Sequence, residues 1–195
     1  MEKKGILITN GFLRTGKFVE HYRWLKQAAG NRGIELLLRE NSDFLLEFAG
    51  DGQQWKRQLD NCDFVIFWDK DIRMGRRLTS LCQKWDIPVF NPVRSVAWCD
   101  DKSETYRILT EWNETHGTAE QIALLPTVVA PMTYSGVGYT GLDFVDQVIQ
   151  RLALPLVVKE CFGSFGKQVY LAETREDVLR LTRQLEGKPF LYQKY

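Results

Sequence analysis

The chain has 195 residues, which suits one large domain or two small ones at about 100–200 residues each. Its 26 lysines and arginines balance 25 aspartates and glutamates to a formal net charge of +1, so no global field favours nucleic acid, and no local basic patch stands out. A hydrophobic share of 44% supports a packed core, and no segment approaches the roughly 18 apolar residues of a membrane span, so neither nucleic acid nor membrane is an expected partner.

The start, Met1 to Asn10, has a basic head but too short an apolar run for a signal peptide. Cys62, Cys82, Cys99 and Cys161 form no C-x-x-C pair. They read as reduced thiols of a cytoplasmic protein rather than a zinc cluster. His21 and His116 lie far apart and point to no metal or catalytic pair.

In chain order, Gly5–Thr9 reads as a buried strand broken by Asn10-Gly11. Phe18, Tyr22, Leu25 and Ala29 recur at helical spacing, with Gly30 or Gly33 as the stop. Ile34–Leu38 is a second strand and Cys62–Trp68 a third, apolar on both faces as a central parallel strand requires. Met74, Leu78, Leu81, Cys82 and Trp85 make a helix stripe, and Ile87–Phe90 a short fourth strand. The alternation predicts an open, mainly parallel α/β layer over residues 1–95. Residues 41–61 give no clear pattern; Phe44, Leu45, Phe48 and Trp55 fit a short helix and loop.

Asp101 is placed to cap a helix that carries Ile108, Leu109 and Trp112, with Glu104 as its capping-box partner. Lys102 then falls in the first turn, where the helix dipole disfavours a cation. Either the neighbouring acids neutralise it, or it faces an anion that also uses the helix terminus. Residues 113–125 are polar and read as a linker. Beyond it come a strand at Thr127–Val129, a helix marked by Val145, Val148, Ile149 and Leu152, and strands at Leu156–Lys159 and Val169–Ala172. A helix capped by Thr174 with Asp177 follows, then a last strand from Phe190 to Tyr195. This part predicts helices on a mostly antiparallel sheet, an α+β layer of its own.

The stretch from Leu154 to Tyr170 carries the chemistry. A buried strand delivers Lys159, and a small loop with Gly163, Ser164 and Gly166 follows before the next strand. Glycines let backbone N–H groups approach phosphate oxygens, and the lysine adds a point charge. The alternative is an ordinary turn beside a solvated lysine. The loop is not a Walker A sequence, because Cys161 and Gln168 stand where that pattern needs Gly and Ser/Thr. A second glycine pattern, Gly136-Val137-Gly138-Tyr139-Thr140-Gly141, fits G-x-G-x-x-G and keeps open a dinucleotide-binding (NAD-type) alternative with Glu160 as the ribose-binding acid. Against it, Pro131 to Ser135 intervene between the strand and the first glycine.

Laid out this way, the chain resembles the front part of an ATP-grasp enzyme, most like the RimK/glutathione-synthetase-like carboxylate–amine ligases. The carriers are Ile8 to Leu13, Phe67 to Ile72, Phe90-Asn91, Cys99 to Ser103, Val157-Val158-Lys159, Gly163 to Gly166 and Tyr192 to Tyr195. The resemblance implies a pre-ATP-grasp domain at 1–95, a helical linker at 96–126 and the smaller ATP-grasp subdomain at 127–195. It implies that Lys102 and Lys159 contact the α/β phosphates of ATP and that Gly163, Ser164 and Gly166 close over the β/γ end. Gln193, Lys194 and Tyr195 resemble the hinge strand that reads the adenine edge, and Asn10 and Gly11 border a substrate site for an amino acid or peptide. Glutamate addition is the family's common theme.

The implied reaction forms an amide through an acyl phosphate, with Mg2+ balancing the phosphates. Gln168 and Glu160 depart from the family loop, which often has Gly and Pro there. The family's magnesium ligands come after the hinge strand. The expectation is therefore an N-terminal fragment or truncated product with half of the ATP site and little or no ligase activity alone, or a non-catalytic scaffold of the same ancestry. An open hinge strand also brings homo-oligomer formation into the reading.

Overall fold

The computed structural model describes residues 3–13, 16–47, 52–59, 61–163 and 166–195. The chain divides into two compact units, Met1–Ala97 and Trp98–Tyr195.

In the first unit, strands β1 (Lys3–Thr9), β2 (Ile34–Glu40), β3 (Phe64–Trp68) and β4 (Val89–Phe90) form a parallel sheet in the order β2-β1-β3-β4. Every residue from Gly5 to Thr9 in the central strand is buried, because both faces of the sheet are covered. Successive side chains alternate between those faces. Leu7 and Leu36 pack with Tyr22, Phe18 and Leu25 of α1 (Gly16–Gly30), the crossover from β1 to β2. Ile6, Ile8, Val65 and Phe67 pack on the other side with Met74, Leu78 and Leu81 of α3 (Ile72–Lys84). The stretch without a clear pattern contributes α2 (Gln53–Leu59). Trp55 and Leu59 of that helix enter the same core, and the indole N–H donates to the Leu45 carbonyl at 3.1 Å.

Helix α4 (Val93–Asp100) was not anticipated, since it buries only Val93 and shows no apolar stripe. The second unit holds α5 (Lys102–Thr115), β5 (Thr127–Val129), α6 (Phe144–Leu152), β6 (Leu156–Glu160), β7 (Val169–Ala172), α7 (Arg175–Gln184) and β8 (Phe190–Lys194). Its sheet is antiparallel in the order β5-β8-β6-β7. Leu156, Val158, Ala172, Phe190 and Tyr192 form a core with Val145, Val148 and Leu152 of α6 and Val178, Leu181 and Leu185 of α7. The alternate residues, Lys159, Leu191 and Gln193, fall on the opposite face.

The expected capping box of Thr174 and Asp177 is present on α7. On α5, Asp101 caps alone: its Oδ1 accepts from Ser103 N at 2.8 Å, whereas Glu104 turns to Arg107. The polar stretch after α5 is tied back onto that helix. Asn113 donates to the Ile122 carbonyl and accepts from the Ile122 N–H, both at 2.8 Å.

Candidate functional site

Two elements of the second unit bring lysines to one place. Strand β6 alternates, so Leu156 and Val158, both fully buried, point into the core and Lys159 points to the other face. On β8, Lys159 stands opposite Leu191 and Val157 opposite Gln193. Helix α5 brings Lys102 in its first turn. Its backbone N–H donates to the Cys161 carbonyl at 3.0 Å, and its ammonium donates to the carbonyls of Cys161 at 3.3 Å and Gly163 at 3.2 Å. Lys102, Thr105, Tyr106, Lys159, Leu191 and Gln193 line an open recess of about 130 Å³.

Among the described residues no carboxylate lines this cavity, and neither lysine has an ion-pair partner. Lys159 is held below the usual lysine pKa, first by desolvation and second by the charge of Lys102. A recess with two ammonium groups and no anion attracts a polyanion.

Gln193, only 4% exposed, is one of the residues lining the recess. Its Oε1 accepts from the Lys159 ammonium, and its Nε2 donates to the Tyr106 hydroxyl and, at 3.0 Å, to Thr127 Oγ1. Tyr106 and Thr127 were not picked out from the sequence. Tyr106 could have been, because it lies four residues after Lys102 and so on the same helical face.

The loop after β6 is shaped by glycine at Gly163, with φ +130, and at Gly166, with φ +71. Ser164 lies outside the described residues. A Cβ at Gly163 would lie 2.5 Å from Gln168 Oε1, so the residue that departs from the family loop packs on the loop's own glycine. Glu160 pairs with Lys188 at 3.2 Å. Cys161 is fully buried and burial pushes its thiol pKa up, which fits a packing role rather than a nucleophile. The side chains of Lys194 and Tyr195 do not line the cavity. The Lys194 N–H donates to the Pro126 carbonyl at 2.9 Å, and Tyr195 is 76% exposed.

Asn10 and Gly11 lie in the first unit, beyond the C-terminal end of β1. Asn10 Nδ2 donates to Asp69 Oδ1 at 3.2 Å, and the Gly11 N–H donates to Asn41 Oδ1 at 3.0 Å. Asn10 shares the wall of an open cleft of about 510 Å³ with Tyr22, Arg23, Lys26 and Glu40. Asp69 Oδ2 is buried without a hydrogen-bond partner among the described residues.

The G-x-G-x-x-G stretch does not build a dinucleotide turn. The strands flanking α6 are not neighbours, because β8 lies between β5 and β6, and Asp143 stands at the start of the helix where a pyrophosphate would sit. Glu160, its supposed ribose acid, is committed to Lys188. Among the described residues no three His, Cys, Asp or Glu side chains gather as a metal-holding group, so this set does not fit Mg2+. Among them, too, no helix is long and apolar enough to cross a membrane.

No family model matches the chain. An uncharacterized Mycoplasma pneumoniae protein, the homologue of MG012, is 28% identical over 174 residues, which cover 88% of this chain and 54% of that protein. The uncharacterized MG012 of Mycoplasma genitalium is 28% identical over 133 residues, 67% of this chain and 42% of its own length. The chain thus spans about half the length of the curated relatives it matches. Among solved structures, N5-carboxyaminoimidazole synthetase from Staphylococcus aureus, complexed with ADP, is similar over 99% of this chain and 47% of its own, with a TM-score of 0.65 and 17% identity. A RimK domain ATP-grasp protein from Sphaerobacter thermophilus aligns over 98% of this chain and 63% of its own, with a TM-score of 0.61 and 17% identity. D-alanine–D-alanine ligase from Bacillus anthracis aligns over 99% and 57%, with a TM-score of 0.59 and 16% identity. A parallel α/β unit followed by a helix-backed antiparallel sheet, matched along nearly all of its length by these enzymes, gives the chain the fold of the N-terminal part of ATP-grasp ligases.

Proposed function

We propose that this chain supplies part of the ATP site of a ligase that joins a carboxylate to an amine. The observation that carries the reading is the convergence of Lys102 and Lys159 on one recess that no carboxylate lines. Their ammonium groups take the α/β phosphates, and the loop from Gly163 through Ser164 to Gly166 covers the β/γ end. Because the Gln193 amide is occupied by three protein partners, the adenine edge falls to the backbone of β8 and to Lys194 and Tyr195. Asn10 and Gly11 border the site of a small substrate, an amino acid or peptide, with a RimK-like glutamate ligase as the narrower reading.

In such a ligase the carboxylate oxygen attacks the γ-phosphorus and ADP leaves. The amine then attacks the acyl carbon, phosphate departs, and the amine loses a proton to give the amide. The residues of this chain hold the triphosphate in line and offset its charge, the main protein contribution to phosphoryl transfer. Mg2+ would balance the remaining phosphate charge, held by residues other than these.

The test is calorimetric titration of the chain with ADP, alongside Lys102→Ala and Lys159→Ala, with NAD as a control. Binding of ADP but not NAD, weakened at least about tenfold in each variant by loss of a charge-assisted contact, supports the reading. No ADP binding by the wild-type chain, or equal binding by the variants, refutes it.

A further inference from the structure

The hydrogen-bond directions around Gln193 are fixed by chemistry. A lysine ammonium only donates, so the carboxamide atom facing Lys159 must be the oxygen. The Gln193 nitrogen then faces Tyr106 and Thr127, and both of its protons are spent on their hydroxyl oxygens. Thr127 spends its own proton on the Leu125 carbonyl at 3.0 Å. Tyr106 is different. Its oxygen accepts from Gln193, and among the described residues no acceptor takes its proton. Its ring lines the recess beside Lys102 and Lys159, whereas Thr127 does not line it. The network therefore ends in one unspent O–H donor in a cavity that already has two cations and no anion.

The geometry points to Tyr106 as a ligand-contacting residue whose hydroxyl donates to a phosphate oxygen of the bound nucleotide, between the two lysines. This rests on the proposed nucleotide site and adds a neutral donor to its charged ones. It makes the recess selective for a phosphoryl acceptor over a simple halide, since an O–H donor at a set position reads direction as well as charge. The same hydroxyl ties the ligand to Gln193. An O–H that donates to an anion becomes a better acceptor, so ligand binding strengthens the Gln193–Tyr106 bond.

The experiment compares ADP affinity in the full chain for wild type, Tyr106→Phe and Thr127→Val by calorimetry. Each substitution removes one acceptor from Gln193, but only the first removes the unspent donor. Tyr106→Phe is expected to bind ADP about tenfold more weakly, the size of a hydrogen bond to a charged group, while Thr127→Val stays within about twofold. Equal losses in both variants would reduce Tyr106 to a support for Gln193 and overturn the assignment. So would an unchanged Tyr106→Phe in a chain that binds ADP, and that result leaves the proposed function standing. A wild-type chain that does not bind ADP overturns both. Should Tyr106→Phe fold poorly, the wild-type chain still decides. The Gln193 side-chain amide resonance should move downfield on adding ADP, and a resonance that stays in place while ADP binds overturns the assignment.

Discussion

Gln193→Glu tests the electrostatics of the recess with one added charge and almost no change of shape. In the native protein Lys159 leans on a neutral carboxamide, so the wall carries the charge of two lysines, +2, with nothing set against it. A carboxylate at the same place makes an ion pair with Lys159 and leaves +1. A unit charge about 5 Å from a phosphate oxygen is worth about 3 kcal/mol at an effective dielectric of about 20, and solvent access reduces this to about 1–2 kcal/mol. The second carboxylate oxygen replaces an amide that gave two hydrogen bonds. It draws the free proton of Tyr106 toward itself, and it meets a Thr127 oxygen whose own proton is held by Leu125. The added charge and the captured tyrosine proton both weaken anion binding, so ADP affinity should fall about 5- to 30-fold, whereas the oxygen facing Thr127 bears on the stability of the protein alone. The ligand-free protein should change much less in thermal midpoint, because the new ion pair offsets the lost amide bonds. Calorimetric titration with ADP and a thermal melt without it give both readings. A Gln193→Glu chain that binds ADP as tightly as wild type would refute the argument that the neutral partner of Lys159 keeps the recess cationic.

Lys159 sets a pH dependence. Its folded pKa lies below the usual lysine value, so in the window between the two the unfolded chain holds a proton that the folded chain has released; stability should rise with pH across that window. ADP affinity should fall over the same window, because the phosphates need the ammonium; Lys102→Met should move the fall to higher pH by removing the lesser of the two causes, and titrations across pH check both. Gly75→Ala should destabilise the first unit by about 1–2 kcal/mol in urea despite the better helix propensity of alanine, since the new Cβ would lie 2.7 Å from Val93 Cγ2 and 2.8 Å from the Phe67 ring. In the second core, Thr182 donates to the Val178 carbonyl at 2.7 Å, which makes the fully buried Tyr192 hydroxyl the donor to Thr182. Thr182→Val strands that donor and should cost about 1–3 kcal/mol, Tyr192→Phe about 1 kcal/mol, and the double variant less than their sum; additivity in urea unfolding would contradict this order.

The parts of the fold that were legible are those in which one physical signal acts alone. The strand at Gly5–Thr9 is apolar because both faces are covered, and the caps at Asp101 and Thr174 announce their helices. Helix α4 gave no signal, because a helix that buries a single valine carries no periodic stripe. The Glu104 reading failed through competition: an i,i+3 arginine, Arg107, takes the carboxylate that the capping box would have used. The G-x-G-x-x-G stretch misled for a different reason. Its residues fit, but the pattern has meaning only in adjacent parallel strands, and strand order is a property of the whole chain.

The recess shows the same division. Strand alternation puts Lys159 and Gln193 on faces opposite Val158 and Tyr192, and helical spacing puts Tyr106 beside Lys102, so the membership of the site was within reach of local rules. Its hydrogen-bond directions were not. Gln193 turns toward Lys159 because β6 and β8 pair in a register that joins residues 34 positions apart, and toward Tyr106 across 87. That register brings the carboxamide to the ammonium, and the ammonium, which only donates, then selects its oxygen. From it follow, in turn, the acceptor role of Tyr106 and the donor left over in the cavity. Gln193, read from the sequence as a hinge-strand contact to adenine, has its side-chain amide bonded to Lys159, Tyr106 and Thr127, partners that only the folded register brings within reach.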